Sequence, residues 1–263
     1  MTSLLDRLWA QADGADRVLL ADPVVRAVPV QECGEELIDI AEVDQLRVDT
    51  RLADPAGHHR LLRVGVVERL VDAAKGLGDV RIAVVEGFRP TVLQQRYFDD
   101  HVASLTARHP EWPPDRVHRE ATAYVAEPTE FAPHVSGGAV DLTLVGPDDE
   151  ELDMGCAVNA TPAQSAGGCA TGFPELPAPA RAARARLADA LHAVGLVNYP
   201  TEWWHWSYGD QHWALRTGAA HAKYAAIPPV RPEAPIRPTL PDDGTGALIR
   251  RQRGSTAVDL PHG

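Results

Sequence analysis

The sequence is short of cysteine, of positive charge and of long apolar runs, and each shortage excludes something. Three cysteines in 263 residues, Cys33, Cys156 and Cys169, are odd in number and fit no paired disulfide framework. A reducing compartment accounts for them most simply. Lysine and arginine total 25 against 37 aspartates and glutamates, a formal net charge of −12. That surplus repels phosphate backbones, and no basic stripe in the body of the chain overrides it, so nucleic acid is excluded as a partner. No stretch approaches the roughly 18 uncharged apolar residues of a spanning helix, so a membrane partner is not expected either. Met1–Pro23 carries Asp6, Arg7, Asp13, Asp16, Arg17 and Asp22 among its leucines and lacks the unbroken apolar core of a signal peptide. The expectation is a cytoplasmic protein.

What is present is ordinary globular material, 44% hydrophobic and 24% charged, long enough to bury a core without help from a disulfide or a metal. Apolar spacing predicts a helix over Leu61–Leu77, stopped by Gly76 and Gly78. Val80–Glu86 reads as a buried strand ended by Gly87. Pro90 opens a helix from Thr91 to Arg108, and a further helix is expected over Pro114–Ala126. Ala139–Val145 reads as a strand, and 146–179 as a long loop of the kind that carries function. Pro179–Val194 is Ala-rich, with a proline at its start and Gly195 beyond its end, and reads as a helix. A strand pair follows near Leu196–Tyr199 and Trp203–Tyr208. The alternation lacks a βαβ dinucleotide fingerprint, so the fold class is α+β, with one compact domain over 1–227. Residues 228–263 hold seven of the 22 prolines and a basic cluster, Arg250, Arg251 and Arg253. They read as an extended Pro-rich tail.

Three segments could carry chemistry. In Glu86-Gly87-Phe88-Arg89-Pro90, a charged pair sits at a strand-to-helix turn. Arg89 could offer its planar fork to an oxyanion, or the pair could be a surface ion pair closing the turn. In His134-Val135-Ser136-Gly137-Gly138-Ala139-Val140-Asp141, an aspartate stands inside a hydrophobic strand. A buried carboxylate is costly unless it is paired or holds a metal. With His134 it suits Zn²⁺, or else a His–Asp hydrogen bond fixes the turn. In Glu202-Trp203-Trp204-His205-Trp206, three of six tryptophans surround an acid and a base. An apolar rim raises a carboxylate pKa toward the range of proton transfer; the alternative is a core edge with a buried Glu–His pair. Together the residues suit a catalytic zinc, with His134, Asp141 and His205 as ligands, water in the fourth position and Glu202 as general base.

At these residues the sequence resembles the D-Ala-D-Ala dipeptidases, within the zinc D,D-peptidases related to D-alanyl-D-alanine carboxypeptidases. That group shows Ser-x-His-x-x-Gly-x-Ala-x-Asp followed by Glu-x-x-His. His134, Asp141 and His205 match its zinc ligands, Glu202 its catalytic glutamate, and Arg89 the arginine that assists the transition state. Asp153-Met154-Gly155 matches an Asp-Met-Gly of the substrate loop. The resemblance implies a small, mostly antiparallel sheet flanked by helices, with the zinc site at the sheet. It also implies one Zn²⁺ per chain and hydrolysis of a small D-dipeptide such as D-Ala-D-Ala. Two positions depart from the pattern. Ala132 replaces the serine before the first histidine, and Asn159 stands where the family carries an aspartate facing the substrate's amino group. Asn159, Glu86 and Trp204 are the expected substrate contacts. The altered loop leaves open a diverged zinc hydrolase acting on another small amide, in cell-wall or secondary metabolism. A third reading is a non-catalytic zinc-containing binding protein, against which Glu202 argues because no ligand role needs it. Cys156 and Cys169 fall in the loop and read as plain reduced cysteines, and His212 and His221 as ordinary helix or surface residues.

Overall fold

Asp141 sits at the centre of a sheet because its strand, Ala139–Val145, is buried at every position. The computed structural model describes residues 2–14, 17–122, 125, 129 and 131–228. Its strands are β1 (Leu37–Asp39), β2 (Leu46–Val48), β3 (Leu61–Arg63), β4 (Arg81–Glu86), β5 (Ala139–Val145), β6 (Val197–Asn198) and β7 (His205–Ser207). Its helices are α1 (Leu4–Asp13), α2 (Pro23–Arg26), α3 (Val64–Lys75), α4 (Thr91–Arg108), α5 (Pro114–Thr122), α6 (Pro162–Ser165), α7 (Ala178–Ala193) and α8 (Gln211–Thr217). Five strands form one sheet in the order β2-β4-β5-β7-β6, while β1 and β3 pair separately. Only β2 runs parallel to its neighbour; the other pairings are antiparallel. The sheet is therefore mixed but mostly antiparallel, as expected for an α+β domain.

Side-chain alternation explains how β5 serves both a core and a site. Val140, Leu142 and Leu144 have no exposed surface and pack with Val66 and Leu70 of α3 and Leu187 and Leu191 of α7. Ala139, Asp141 and Thr143 point to the opposite face, where the cleft lies. A second cluster, Phe98 and Leu105 of α4 with Val117 and Ala121 of α5, joins those two helices. Among the described residues no helix is long and apolar enough to cross a membrane.

The expected strand at β5 and the helix at α4 lie where the sequence puts them, β4 begins one residue later than expected, and α7 is displaced by one residue. The expected helix over Leu61–Leu77 is corrected at its start. Leu61–Arg63 pairs with Leu37–Asp39 as β3, and the helix begins at Val64. Apolar spacing within 61–77 carries no record of a partner strand more than twenty residues upstream. The expected strand pair near 196–208 exists but is shorter, with two and three residues. Helix α5 ends at Thr122; of the residues expected to extend it, 123, 124 and 126 lie outside the described residues. So does the expected Pro-rich tail from residue 229 onward.

Candidate metal centre and active site

Strand register builds the centre. Glu86 of β4 pairs with Asp141 of β5, and Asp141 pairs with His205 of β7, so three polar side chains form one row across the sheet. Neighbouring strands lie about 4.8 Å apart, which brings residues far apart in sequence into contact. A register irregularity between Val84 and Glu86 places Glu86 in that row.

His134 arrives from a short 3-10 turn, Pro133–Ser136, that immediately precedes β5. Gly137 closes the turn at φ +71°, a left-handed conformation that favours glycine. The turn is fastened to the end of β4 by two bonds. The Arg89 amide donates to the His134 carbonyl at 3.1 Å, and His134 Nδ1 stands 2.8 Å from the Gly87 carbonyl oxygen. A carbonyl can only accept, so Nδ1 carries the proton and Nε2 is left with a lone pair. Gly87 itself lies close against β3, where a Cβ would strike the Leu61 carbonyl.

Nε2 of His134 faces Nδ1 of His205 at 3.2 Å, and both face Asp141 Oδ1, at 3.4 and 2.9 Å respectively. All three side chains are buried. Burial alone would raise the Asp141 pKa, but His134 and His205 hold it well below the usual carboxylate range. The three atoms converge within 4.8 Å of one another, an arrangement able to hold a metal ion. Two ring nitrogens turned toward one carboxylate oxygen suit a borderline cation such as zinc.

Arg89 is not a surface residue, so its pair with Glu86 does not belong to the open turn. Its Nε donates to Glu86 Oε1 at 2.9 Å, its Nη2 to Glu86 Oε2, and its Nη1 to Gln94 Oε1 at 2.8 Å. Burial disfavours the cation, but Glu86, with Asp141 behind it, keeps its pKa above the ordinary arginine value. The guanidinium also lies over the Tyr97 ring at 4.9 Å. Glu86 is almost wholly buried and holds Arg89; among the described residues it does not line the cleft. Arg89 itself does.

Glu202 comes from a turn joining β6 to β7. The side-chain amide of Asn198 donates to the carbonyls of Glu202 and His205 at 3.1 and 3.0 Å, and Asn198 Oδ1 accepts from Thr171 at 2.6 Å. Burial, and next the charge of Asp141, push the Glu202 pKa up to about 8, with Arg89 opposing. Trp203 and Trp204 meet edge to face behind it, with ring centroids 5.6 Å apart.

These residues open onto a cavity of about 600 Å³, which His134, Asp141, His205, Glu202, Arg89 and Trp204 help to line. Asn159 also lines it, from the long loop, in a left-handed conformation at φ +63° that asparagine tolerates better than most residues. Asp153-Met154-Gly155 lies behind the wall. Asp153 accepts from the Gly155 amide at 2.8 Å, and the Met154 carbonyl accepts from the buried Arg184 at 2.7 Å. Arg184 also binds the carbonyls of Gly168 and Ala170, so one side chain of α7 anchors the loop at three points.

Sequence reasoning missed Arg184, Asn198 and the cavity-lining face of α4. The only signal for Arg184 was a charge on the apolar stripe of an Ala-rich helix. His212 lies on α8, as expected of a helix residue, and is buried there. It packs edge-on to Tyr199 at 5.8 Å, and burial pushes its pKa down to about 3. Cys156 and Cys169 are free thiols, half-buried and buried, as expected.

Comparison with known proteins gives this geometry a context. A family model described as D-ala-D-ala dipeptidase matches residues 73–225, more than half of the chain. A D-alanyl-D-alanine dipeptidase from Synechocystis is 29% identical over 233 residues, covering 76% of this chain and 93% of that protein. Among solved structures, a mutant of the vancomycin-resistance D,D-pentapeptidase VanY in complex with Zn(II) aligns with a TM-score of 0.37 and 17% identity, over 65% of this chain and 84% of that one. The LD-carboxypeptidase LdcB aligns with a TM-score of 0.40 and 19% identity, over 71% and 73%. The family match makes the protein a metallopeptidase. More narrowly, the chain belongs to the D-Ala-D-Ala dipeptidase family.

Proposed function

We propose that the chain is a zinc-dependent hydrolase of small D-dipeptides such as D-Ala-D-Ala, with one Zn²⁺ held by His134, Asp141 and His205. The observation that carries this reading is the orientation of the His134 ring. Its Nδ1–H is spent on the Gly87 carbonyl at 2.8 Å, and its Nε2 lone pair is aimed at Asp141 and His205. Histidines that bind metals are oriented in this way by a second acceptor. His205 Nδ1 faces the same point. Held by His134, Asp141 and His205, a zinc ion would supply Lewis acidity toward the scissile carbonyl and would lower the pKa of bound water to about 7.

The remaining roles fall to the protein. Glu202, in a setting that raises its affinity for a proton, takes one from the attacking water and passes it to the leaving amine. Arg89 is held rigid by Glu86 and Gln94, which occupy three of its five N–H groups. The other two are available to the oxyanion that develops at the tetrahedral stage. Trp204 closes the apolar side of the site, and Asn159 meets the substrate with a neutral amide.

The test combines zinc analysis of the purified protein with release of free D-alanine from D-Ala-D-Ala, with and without chelator. Bound zinc and chelator-sensitive release are expected. Bound zinc without release would discard this substrate, and absence of zinc at the cluster would overturn the reading.

A further inference from the structure

The loop that reaches the cavity leaves and returns at one place. Asn159, Ala160, Thr161 and Pro162 line the cavity, and Cys156 and Cys169 stand on either side of that excursion. Arg184 of α7 grips both arms at their base. Its Nη2 donates to Cys156 Sγ at 3.6 Å and to the Gly168 carbonyl at 2.6 Å, and its Nη1 to the Ala170 carbonyl at 2.7 Å. Cys156 thus touches the guanidinium directly, and Cys169 is bracketed by two residues that touch it. A disulfide needs its two Cα atoms within about 7 Å, and arms pinned to one planar group are held on that scale.

Arg184 is also a buried cation short of a counter-charge. It is 1% exposed, and its hydrogen-bond partners are backbone carbonyls and one thiol, none of them a carboxylate. A buried charge left in that state is costly. Burial pushes its pKa down to about 10, and Cys156 is foremost among the groups that oppose the shift. Reactive cysteines are those beside a cation and partly open to solvent, because the cation favours the nucleophilic thiolate. Cys156 meets both conditions, being half-buried and in contact with Arg184. Cys169 is its complement. It is buried, and burial first, then the nearby Cys156, pushes its thiol pKa up, with Ser165 opposing. One accessible sulfur is therefore backed by one enclosed sulfur, the arrangement in which the first is oxidised and the second closes on it.

We propose that Cys156 and Cys169 form a reversible dithiol–disulfide pair at the base of the cavity loop, with Cys156 attacked first and a peroxide as oxidant. The Cys156 sulfur attacks one peroxide oxygen. The O–O bond breaks, the leaving oxygen takes the thiol proton and departs as water, and Cys156 becomes a sulfenic acid. The Cys169 sulfur then attacks that sulfur. The S–S bond forms as the S–O bond breaks, and the hydroxyl leaves with the Cys169 proton as a second water. Two electrons pass from the thiols to the peroxide. The bridge closes a ring that contains Asn159–Pro162 and draws Cys169 toward Cys156, so one wall of the cavity is re-seated. The His134–Asp141–His205 cluster contains no sulfur and is left intact.

The test uses the zinc-loaded full chain carrying Cys33→Ser, which removes the exposed third thiol. Hydrogen peroxide is expected to consume both remaining thiols, lower the mass by two hydrogens and link the peptides that carry Cys156 and Cys169. Dithiothreitol should restore both thiols, and the zinc content should not change. Cys169→Ser in the same background should stop at a Cys156 sulfenic acid, trapped by dimedone. Cys156→Ser should leave Cys169 unreacted at the same peroxide dose. Oxidation of the two sulfurs without linkage, or an unreactive Cys156, overturns the proposal. On D-Ala-D-Ala the bridged form is expected to show a KM raised several-fold with kcat within about twofold, since the loop wall moves and the cluster does not. Identical kinetics before and after bridging would overturn the coupling to the cavity. The mass readout does not depend on turnover, so its failure is distinguishable from failure of the hydrolase reading.

Discussion

Glu86 and Asp141 are register partners on adjacent strands, yet each buried carboxylate is neutralised by a different kind of residue. Glu86 is gripped by the fork of Arg89, a permanent cation, whereas Asp141 faces two imidazoles whose charge depends on what they bind. Two carboxylates this close would repel if left alone. The arrangement separates a fixed ion pair, which positions Arg89, from a cluster ready for a metal.

The fixed pair gives the first prediction. Glu86→Ala leaves a buried guanidinium without its counter-charge, and breaking a buried pair in this way costs about 3–5 kcal/mol. The urea midpoint should fall with an unchanged slope. An unaltered midpoint would show that Arg89 finds another partner. Glu86→Gln keeps the shape and should lose less stability, while lowering kcat through a looser Arg89.

Arg89 itself provides the second. If its two remaining N–H groups meet the developing oxyanion, Arg89→Ala should lower kcat by about 10²–10³. A change confined to KM would mean that the arginine binds the ground state and transition state equally.

Zinc content and turnover separate the cluster from the base. Asp141→Asn should bind little zinc, because it replaces an anionic ligand between two histidines with a neutral amide. Glu202→Gln should keep its zinc and lose about 10²–10⁴ in kcat. Unchanged turnover in Glu202→Gln would remove its role as general base.

The parts of this site legible in the sequence were those where one residue violates its surroundings. An aspartate in the run Ala139–Val145 and a Glu–His pair among tryptophans are both costly without partners, so they stand out in the sequence, while their roles came from the family resemblance. The fold was legible where elements end in strong local signals: Gly87 after β4, Pro90 before α4 and Gly195 after α7. What could not be read was set by distant contacts. β3 exists because Leu37–Asp39 lies beside it, and Arg184 matters because the loop carbonyls turn back onto α7. The α4 wall was hidden for another reason. Gln94, Tyr97, His101 and Ser104 look like the ordinary polar face of a surface helix until the opposing loop makes that face one side of a cavity.

The last prediction concerns acid stability away from the site. Glu35 accepts from Tyr224 Oη at 2.6 Å and from the Gly65 amide at 2.8 Å, binding the segment before β1 to the start of α3 and to the stretch that follows α8. Burial acts to raise its pKa, but these two donors, together with the Cys33 side chain and the charge of Lys223, hold it below the ordinary glutamate value. The folded state therefore binds this proton less readily than the unfolded chain. The resulting stability is fully present above the ordinary glutamate pKa of about 4.3, and it is lost as pH falls through the lower folded value. Tyr224 acts in the opposite direction. Burial and then Glu35 raise its pKa, so its contribution is present below the ordinary tyrosine value and lost at higher pH. Glu35→Gln should be less stable than the parent chain at pH 7 and should lose less stability between pH 5 and pH 3. Chemical denaturation at a series of pH values measures both. Parallel profiles for the two proteins would show that Glu35 titrates alike in the folded and unfolded chain.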